Sequence, residues 1–185
     1  GTYVIDSQRY LYDNNGNIIT EYSLDTERSI TRSSFSLLKD NYAFSSFKAN
    51  AVFSYNSSGK PRVVKENNCD VVTYIWGYYS NYPIAVIRGA DYPVVRDLLG
   101  GDSAVKALET APSPTISARE LHSKLSKLAG CCVSTYSVNP QIGMVEMISP
   151  NGESTTYTYD AFSRLAAIKD HNGIVSSSFK YNYKQ

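Results

Sequence analysis

Histidine and cysteine are scarce in this chain of 185 residues, which has two histidines and three cysteines. Because these residues supply many of the ligands and nucleophiles of metal and catalytic sites, few candidate residues for such sites are present. Cys131 and Cys132 are adjacent and Cys69 stands alone, a spacing that fits neither a disulfide framework nor a zinc-binding pair. We expect the cysteines to be small buried hydrophobic residues, with a bridge from Cys69 to either of the others as the alternative.

An excess of one charge and long apolar runs are also missing. The sequence has 18 Lys+Arg and 17 Asp+Glu, a formal net charge of +1. Phosphate recognition needs a basic surface, so this balance argues against nucleic-acid binding. No run approaches the ~18 apolar residues of a membrane span, so we expect none in this segment.

Motifs of hydrolases, zinc proteases and nucleotide-binding proteins do not occur in the sequence. Residues 13–17 superficially resemble a calcium loop, but Gly16 is the fourth residue rather than the sixth. We expect His122 to be partly exposed on the shoulder of a helix and His171 to lie in a turn. A nucleophile made of Cys131 or Cys132 with His122 is the enzymatic alternative. The sequence therefore predicts no enzyme, no catalytic residue, no metal and no cofactor.

Tyrosine is abundant, with 16 residues beside six phenylalanines, and aromatic residues favour strands. Residues 71–76 offer apolar side chains to both faces, which is typical of a strand covered on two sides. Phe179, Tyr181 and Tyr183 alternate with polar residues, which indicates a strand with one face in solvent. Clusters at 13–16 and 56–61 contain the Asn and Gly residues of hairpin turns.

A helical insert is predicted at about 90–130, between a strand near 84–87 and one near 133–138. The pattern Ser117–Ala118–Arg119–Glu120 is a capping box, and leucines continue from it to a helix stop at Gly130. Two shorter helices are predicted at 93–99 and 102–111.

The end of the sequence repeats itself. Tyr136 to Tyr157 and Met144 to Leu165 are each 21 residues, and Tyr159 to Tyr181 is 22. Such a period predicts repeated hairpins that bury their faces on their neighbours.

The repeat has a recognisable phrase. Tyr159-Asp160-Ala161-Phe162-Ser163-Arg164-Leu165 is followed by Asn172-Gly173, and residues 12–18 read Tyr-Asp-Asn-Asn-Gly-Asn-Ile. These residues resemble the RHS/YD-repeat family of bacterial surface and secreted proteins, whose phrase is Tyr-Asp-x-x-Gly-Arg-Leu. Ser163 replaces the usual Gly, and Asn17-Ile18 replace Arg-Leu. Residues 72–85 and 180–184 look like the C-terminal end of long YD-repeat proteins.

The motif residues are expected to have structural roles. Tyrosines at alternate strand positions stack across strands, and Asp after Tyr accepts backbone N–H bonds in the turn. The motif residues expected to have structural roles are Tyr12, Asp13, Gly16, Tyr157, Tyr159, Asp160, Arg164, Leu165, Asn172, Gly173 and Tyr181.

The predicted fold class is mainly β, with antiparallel hairpin repeats in a single curved sheet and a helical insert; α+β is the alternative class. We expect an N-terminal β segment with degenerate YD-like hairpins at 1–64. A YD-repeat β region that contains the insert is expected at 65–185.

Four aromatic residues, Trp76, Tyr78, Tyr79 and Tyr82, form the candidate ligand-binding cluster. They are explained as core and edge aromatics of a sheet. In the alternative, Tyr78 and Tyr82 are exposed near a turn and form a stacking platform for a glycan or a protein partner.

The resemblance implies a C-terminal segment of a large bacterial protein, located outside the cell or at the cell surface. It implies a non-enzymatic structural or adhesive role, with the sheet as scaffold and interaction surface. The alternatives are a carbohydrate-binding module and part of a toxin-encapsulating RHS shell. Open sheet edges would favour a dimer of the isolated segment.

Overall fold

The computed structural model describes residues 3–4, 6–25, 30–31, 47–67 and 69–182. Tyr183 of the sequence pattern lies outside these residues. The chain divides into two compact units, Gly1–Asp70 and Val71–Gln185. The boundary after residue 64 that the sequence suggested stays a prediction.

The first unit consists of antiparallel strands. β1 (Tyr3–Val4) pairs with β4 (Ile30–Thr31). The larger group has the order β2-β3-β5-β6, with bounds Gln8–Tyr12, Ile18–Leu24, Phe47–Tyr55 and Pro61–Glu66. Among the described residues of this unit, the buried apolar side chains are Leu24, Phe47, Ala51 and Val63.

The second unit is an antiparallel meander with a helical insert. Its strands are β7 (Val72–Gly77), β8 (Tyr82–Arg88), β9 (Cys132–Asn139), β10 (Gly143–Ile148), β11 (Ser154–Tyr159), β12 (Leu165–Lys169) and β13 (Val175–Ser178). Each strand pairs with the next one along the chain. The insert leaves from β8 and returns in β9, which are neighbours, so it does not interrupt the order of the sheet.

The three helices of the insert are α1 (Tyr92–Leu99), α2 (Asp102–Thr110) and α3 (Ala118–Leu125). α1 and α2 pack against β7, and α3 packs against β8, β9 and β10. The core between them is apolar because both layers contribute aliphatic side chains. Its fully buried members include Ile75, Ile84, Ile87, Val95, Val105, Leu121 and Leu125. The predicted fold class, mainly antiparallel β with a helical insert, is confirmed.

Local capping explains where the helices begin. The Asp91 side chain accepts a hydrogen bond from the Tyr92 N–H at 2.9 Å, and Ser117 Oγ accepts one from the Glu120 N–H at 3.2 Å. α3 ends at Leu125, so the expected continuation of this helix to Gly130 is wrong. After Leu125 the chain tightens into turns, in which the Leu128 N–H donates to the Leu125 carbonyl, before it enters β9.

Among the described residues, no helix is long and apolar enough to cross a membrane.

Candidate functional site

The aromatic cluster predicted from the sequence does not form one platform. Tyr78 and Tyr82 lie together, with ring centroids 5.9 Å apart in an edge-to-face arrangement. Trp76 instead lies beside Tyr74, at 6.4 Å between centroids. Tyr79 is 62% exposed and Tyr78 only 6%, so the alternative in which Tyr78 is an exposed stacking residue is wrong.

The loop between β7 and β8 explains why Tyr78 is buried. Tyr78, Tyr79 and Ser80 have φ values of 54°, 58° and 59°, a left-handed conformation that costs about 1–2 kcal/mol per non-glycine residue. The Tyr79 N–H donates to the Ala111 carbonyl at 3.0 Å, and the Tyr78 hydroxyl accepts the Val138 N–H at 3.0 Å. These bonds hold the loop against the end of α2 and against β9, which offsets the backbone strain.

A cavity of about 260 Å³ opens beside Tyr78 and is lined by residues that include Ile84, Ile116, Leu121 and Tyr136. Its polar groups are mainly hydroxyls, among them Ser117 and Ser137. None of the residues that line it carries a charge at neutral pH. The cavity therefore supplies no acid–base pair for catalysis.

The repeat residues, by contrast, build one recurring structure. In the part of the chain that the structure describes, a five-residue turn occurs at 13–17, 56–60, 149–153, 160–164 and 170–174. In each turn the N–H of the first residue donates to the carbonyl of the fifth, and the N–H of the fourth donates to the carbonyl of the first. The fourth residue always has a positive φ, between 59° and 84°. Glycine fills this position in four turns and Ser163 in the other.

The side chain of the first residue completes the turn. Asp13, Asn56, Asp160 and Asp170 each accept the N–H groups of the third and fifth residues at 2.8–3.0 Å. Asn172 and Gly173 are the third and fourth residues of the last turn, and Gly16 is the fourth residue of the first. In the turn at Ser149, the third residue, Asn151, accepts the Glu153 N–H instead. The carboxylate or amide thus satisfies donors that the reversal of the chain leaves unpaired.

These contacts also stabilise the ionised form of the carboxylates. The Arg164 side chain donates Nε–H to Asp160 at 2.8 Å and is the main reason why the pKa of Asp160 is lowered. The pKa of Asp13 is lowered chiefly by the side-chain amide of Asn17, at 2.9 Å. Backbone N–H donors lower both pKa values further.

Tyrosine hydroxyls connect neighbouring hairpins. Tyr55 donates to the Ile18 carbonyl at 2.7 Å, Tyr159 to the Met144 carbonyl at 2.7 Å and Tyr181 to the Leu165 carbonyl at 2.9 Å. We call this contact the tyrosine clamp. Each tyrosine directly precedes an Asp or Asn.

The acceptors of the clamp are equivalent as well. Ile18 and Leu165 each directly follow the fifth residue of a five-residue turn, and Met144 directly follows Gly143, which closes the turn after β9. The ring of Tyr159 lies close over Gly143, where a Cβ atom would come within 2.9 Å of the hydroxyl oxygen. In each clamp, a tyrosine hydroxyl therefore binds a carbonyl group at the start of the second strand of the preceding hairpin. This bond holds the two hairpins together.

Arg164 adds a second connection between hairpins. Its guanidinium carbon lies 4.3 Å from the ring centroid of Tyr181 and 5.1 Å from that of Phe162. It also forms an ion pair with Asp160 at 2.6 Å. Tyr157 lies opposite Ile168 on β12, a cross-strand contact within the same hairpin.

Tyr55 forms the clamp although it is not one of the motif residues expected to have a structural role. It stands before Asn56, with Gly59 three residues further on, the spacing that Tyr159 has to Asp160 and Ser163. The sequence carries a signal for it, because Tyr55-Asn56-Ser57-Ser58-Gly59 is a weaker copy of the repeat phrase. Tyr12 fits the same pattern and lies at the end of the outermost strand of its sheet, 57% exposed.

The histidines and cysteines differ from expectation in their burial. His122 is only 9% exposed and is one of the buried residues of α3, whereas Cys69 and Cys132 are exposed. All three cysteines are free, so the Cys69 bridge is not formed. The Cys131 thiol lies 3.6 Å from the Ala129 carbonyl, and His122 Nε2 has no hydrogen-bond partner among the residues that the structure describes. A bonded cysteine–histidine nucleophile is therefore not formed by these described residues.

Metal ligands do not cluster in the described part of the chain, where no group of three or more His, Cys, Asp and Glu side chains could hold an ion.

Together these features define a hairpin protein in which the same turn and the same interstrand clamp recur. The RHS repeat family model matches residues 144–175, which contain the turns at 149–153 and 160–164. The predicted resemblance to the RHS/YD-repeat family is confirmed by this match. No curated protein matches the sequence significantly.

Three solved structures resemble the chain at low sequence identity. The crystal structure of TcdB2-TccC3-Cdc42 has 10% identity and a TM-score of 0.49, over 88% of this chain and 8% of that chain. The structure of TcdB2-TccC3 without its hypervariable C-terminal region has 7% identity and a TM-score of 0.49, over 92% and 8%. That of TcdB2-TccC3 has 11% identity and a TM-score of 0.48, over 88% and 8%. The chain thus spans less than a tenth of the length of these proteins.

Proposed function

We propose that this chain is a non-enzymatic scaffold segment of a larger RHS/YD-repeat protein. The tyrosine clamp is the observation that carries the proposal. It recurs at Tyr55, Tyr159 and Tyr181, and each time it binds the main chain of a neighbouring hairpin. A side chain committed to holding its own chain together is not available to act on a substrate.

The turns support the same role. The oxygen atoms of Asp13 and Asp160 accept N–H groups of their own turns, and Arg164 is held between Asp160 and Tyr181. These charged groups therefore serve folding in the geometry observed. The resemblance to RHS/YD-repeat proteins supports a location outside the cell or at the bacterial surface, where such a scaffold would also present surfaces for adhesion.

Removing single hydroxyls tests the scaffold role. We expect Tyr159→Phe and Tyr55→Phe each to lower the free energy of unfolding by about 1 kcal/mol, because each change deletes one interstrand hydrogen bond and little else. Tyr79→Phe is the matched control, since Tyr79 is exposed and its hydroxyl has no bond in the described structure. The measurement is urea unfolding at low protein concentration, followed by circular dichroism.

Equal stabilities of the clamp variants and the Tyr79→Phe control would contradict the proposal, because the repeated contact would then hold nothing together. A glycan array provides the competing readout. Binding that is lost in Tyr79→Ala would favour the carbohydrate-binding alternative, for which Tyr79 is the most exposed residue of the predicted cluster.

The shell alternative shares the scaffold role and adds an enclosed cargo. The RHS repeat at 144–175 is compatible with it. Protection of a second domain of the parent protein from added protease would favour the shell, and cleavage of that domain at the rate of the isolated domain would favour an open scaffold.

A further inference from the structure

Three of the five-residue turns carry an Asn-Gly pair at their third and fourth positions. The pairs are Asn15-Gly16, Asn151-Gly152 and Asn172-Gly173, and all three asparagines are exposed. In a flexible chain an Asn-Gly pair is chemically labile, because glycine has no side chain to hinder attack by its backbone nitrogen on the preceding amide. The proposed scaffold role does not use these side-chain amides.

The reaction of such a pair is deamidation through a cyclic imide. The glycine nitrogen attacks the side-chain carbonyl carbon of the asparagine, and the new carbon–nitrogen bond closes a five-membered succinimide ring. The amide nitrogen leaves as ammonia, with the proton that the glycine nitrogen gives up. Water then adds to either carbonyl of the ring and breaks one of its carbon–nitrogen bonds, which gives aspartate or isoaspartate. Water is the only co-reactant.

The attacking nitrogen is held alike in the three turns. The N–H groups of Gly16, Gly152 and Gly173 donate to the carbonyl of the first residue of their turn at 3.1, 2.9 and 3.0 Å. The φ values of these glycines are 83°, 84° and 78°. Because this hydrogen bond has to break before the nitrogen can attack, each turn slows the reaction, and to a similar extent.

The side-chain amides, by contrast, are held differently. Asn151 Oδ1 accepts the Glu153 N–H at 3.2 Å and also the Ser149 hydroxyl. The side chains of Asn15 and Asn172 make no hydrogen bond within the part of the chain that the structure describes. Closing the ring rotates the amide of Asn151 out of its contacts, so its hydrogen bonds have to break first.

The first residue of the turn causes this difference. Asp13 and Asp170 accept the N–H of the fifth residue at 2.9 and 2.8 Å, which leaves the amide of the third residue without a role. Ser149 has no carbonyl oxygen in its side chain, and the N–H of the fifth residue bonds to Asn151 instead.

We propose that Asn15 and Asn172 are sites of spontaneous deamidation, and that Asn151 is protected from it by its hydrogen bonds to Ser149 and Glu153. The inference does not rest on the scaffold function, because it concerns the chemistry of single turns.

Deamidation would weaken the turns in which it occurs. The new carboxylate lies two residues from Asp13 or Asp170, so two like charges share one turn. Isoaspartate also adds one carbon atom to the main chain between the third and fourth residues. The glycine N–H is then displaced from the carbonyl of the first residue. The turns at 13–17 and 170–174 should therefore weaken as the protein ages, whereas the turn at 149–153 stays intact.

Incubation of the full 185-residue chain in mildly alkaline buffer, followed by tryptic digestion and mass spectrometry, measures the three rates in one sample. The three pairs fall in different tryptic peptides, and digestion in isotopically labelled water marks any deamidation that occurs during digestion. We expect Asn151 to react about five-fold more slowly than Asn15 and Asn172, the effect of having to break one hydrogen bond. A parallel sample in concentrated urea is the control, because without the turns the three rates should be nearly equal.

Two reciprocal variants exchange the first residue of the turn. Ser149→Asp provides the carboxylate that the other two turns have, and we expect Asn151 then to react as fast as Asn172. Asp170→Ser should slow the reaction at Asn172 to the rate of Asn151 in the unaltered chain. Asn15 is unchanged in both variants and serves as the internal standard, and circular dichroism before incubation confirms that both are folded.

Equal rates at the three sites of the folded chain would overturn the inference. A faster reaction at Asn151 would do so as well, because the two donors would then polarise its carbonyl instead of holding it. An unchanged rate at Asn151 in folded Ser149→Asp would show that the first residue does not control the reaction. If a reciprocal variant does not fold, the rates of the unaltered chain in buffer and in urea decide the question.

Discussion

The fourth residue of the five-residue turn shows how a single backbone angle selects a residue type. Gly16, Gly59, Gly152 and Gly173 have φ values between 72° and 84°, which glycine adopts without steric cost. Ser163 occupies the same position with φ 59° and makes the same N–H bond to the first residue of its turn. The hydrogen-bond pattern therefore tolerates serine, at the expense of backbone strain.

Ser163→Gly is expected to raise the free energy of unfolding by about 0.5 kcal/mol. Relief of the left-handed strain exceeds the extra conformational entropy that glycine gives the unfolded chain. Urea unfolding of Ser163→Gly provides the measurement. Ser163→Ala is the control, because it keeps a Cβ atom and should gain no stability. A variant less stable than the unaltered chain would show that the serine is not strained.

The carboxylate that begins this turn makes stability depend on pH. Because the pKa of Asp160 in the folded chain lies below its ordinary value of 3.8, ionised Asp160 favours folding. The contribution is complete above pH 3.8 and is lost as the pH falls through the lower pKa of the folded state. We expect Asp160→Asn to remove part of the loss of stability below about pH 4.

Asparagine is a fair replacement here because Asn56 accepts the same two N–H bonds in its own turn. The measurement compares the urea midpoints of the unaltered chain and of Asp160→Asn from neutral pH downward. If the urea midpoints of the unaltered chain and of Asp160→Asn fall in parallel as the pH is lowered, the Arg164 contact does not favour the ionised carboxylate.

At the scale of elements, two buried threonines attach the helical insert to the sheet. Thr73 on β7 donates its hydroxyl to the Ala90 carbonyl just before α1, and Thr135 on β9 donates to the Ala118 carbonyl at the start of α3, both at 2.8 Å. Both threonines are fully buried, where an unpaired hydroxyl would be costly. The insert is thus held at its first and its last helix.

Thr135→Val should lower the free energy of unfolding by about 1 kcal/mol, because it removes the hydroxyl and keeps the shape of the side chain. Thr155→Val is the matched control: Thr155 lies on β11, half-buried, and its hydroxyl makes no described bond. Thermal or urea unfolding distinguishes the two variants. Equal effects would assign the loss to strand propensity rather than to the bond with α3.

Elements with local signals were predictable from the sequence, and those set by distant contacts were not. The Ser117 cap, the glycines that end turns and the antiparallel hairpins depend on residues a few positions apart. The burial of Tyr78 depends on Val138, 60 residues further along, and no local pattern indicates it. The repeat phrase predicted the class of protein but not the clamp. The acceptors of the clamp are backbone carbonyls, which every residue has, so no residue type indicates them.

At the scale of the whole second unit, burial is uneven along the meander. The helices pack against β7, β8, β9 and β10. Side chains of β7 and β8 include fully buried ones, such as Ile75, Ile84 and Ile87. β11 and β12 are half-buried throughout, and β13 is exposed at every position. Stability should therefore decline from the core strands toward β13.

Hydrogen exchange measured by mass spectrometry should show this decline directly. Strands that lie in the core open only with the unit as a whole, whereas a strand held by one neighbour opens locally. We expect the slowest exchange in β7, β8 and β9, intermediate exchange in β11 and the fastest in β13 in a dilute sample. Uniform protection from β7 to β13 would mean that clamps such as Tyr159 and Tyr181 stabilise the outer hairpins as strongly as the helices stabilise the inner strands.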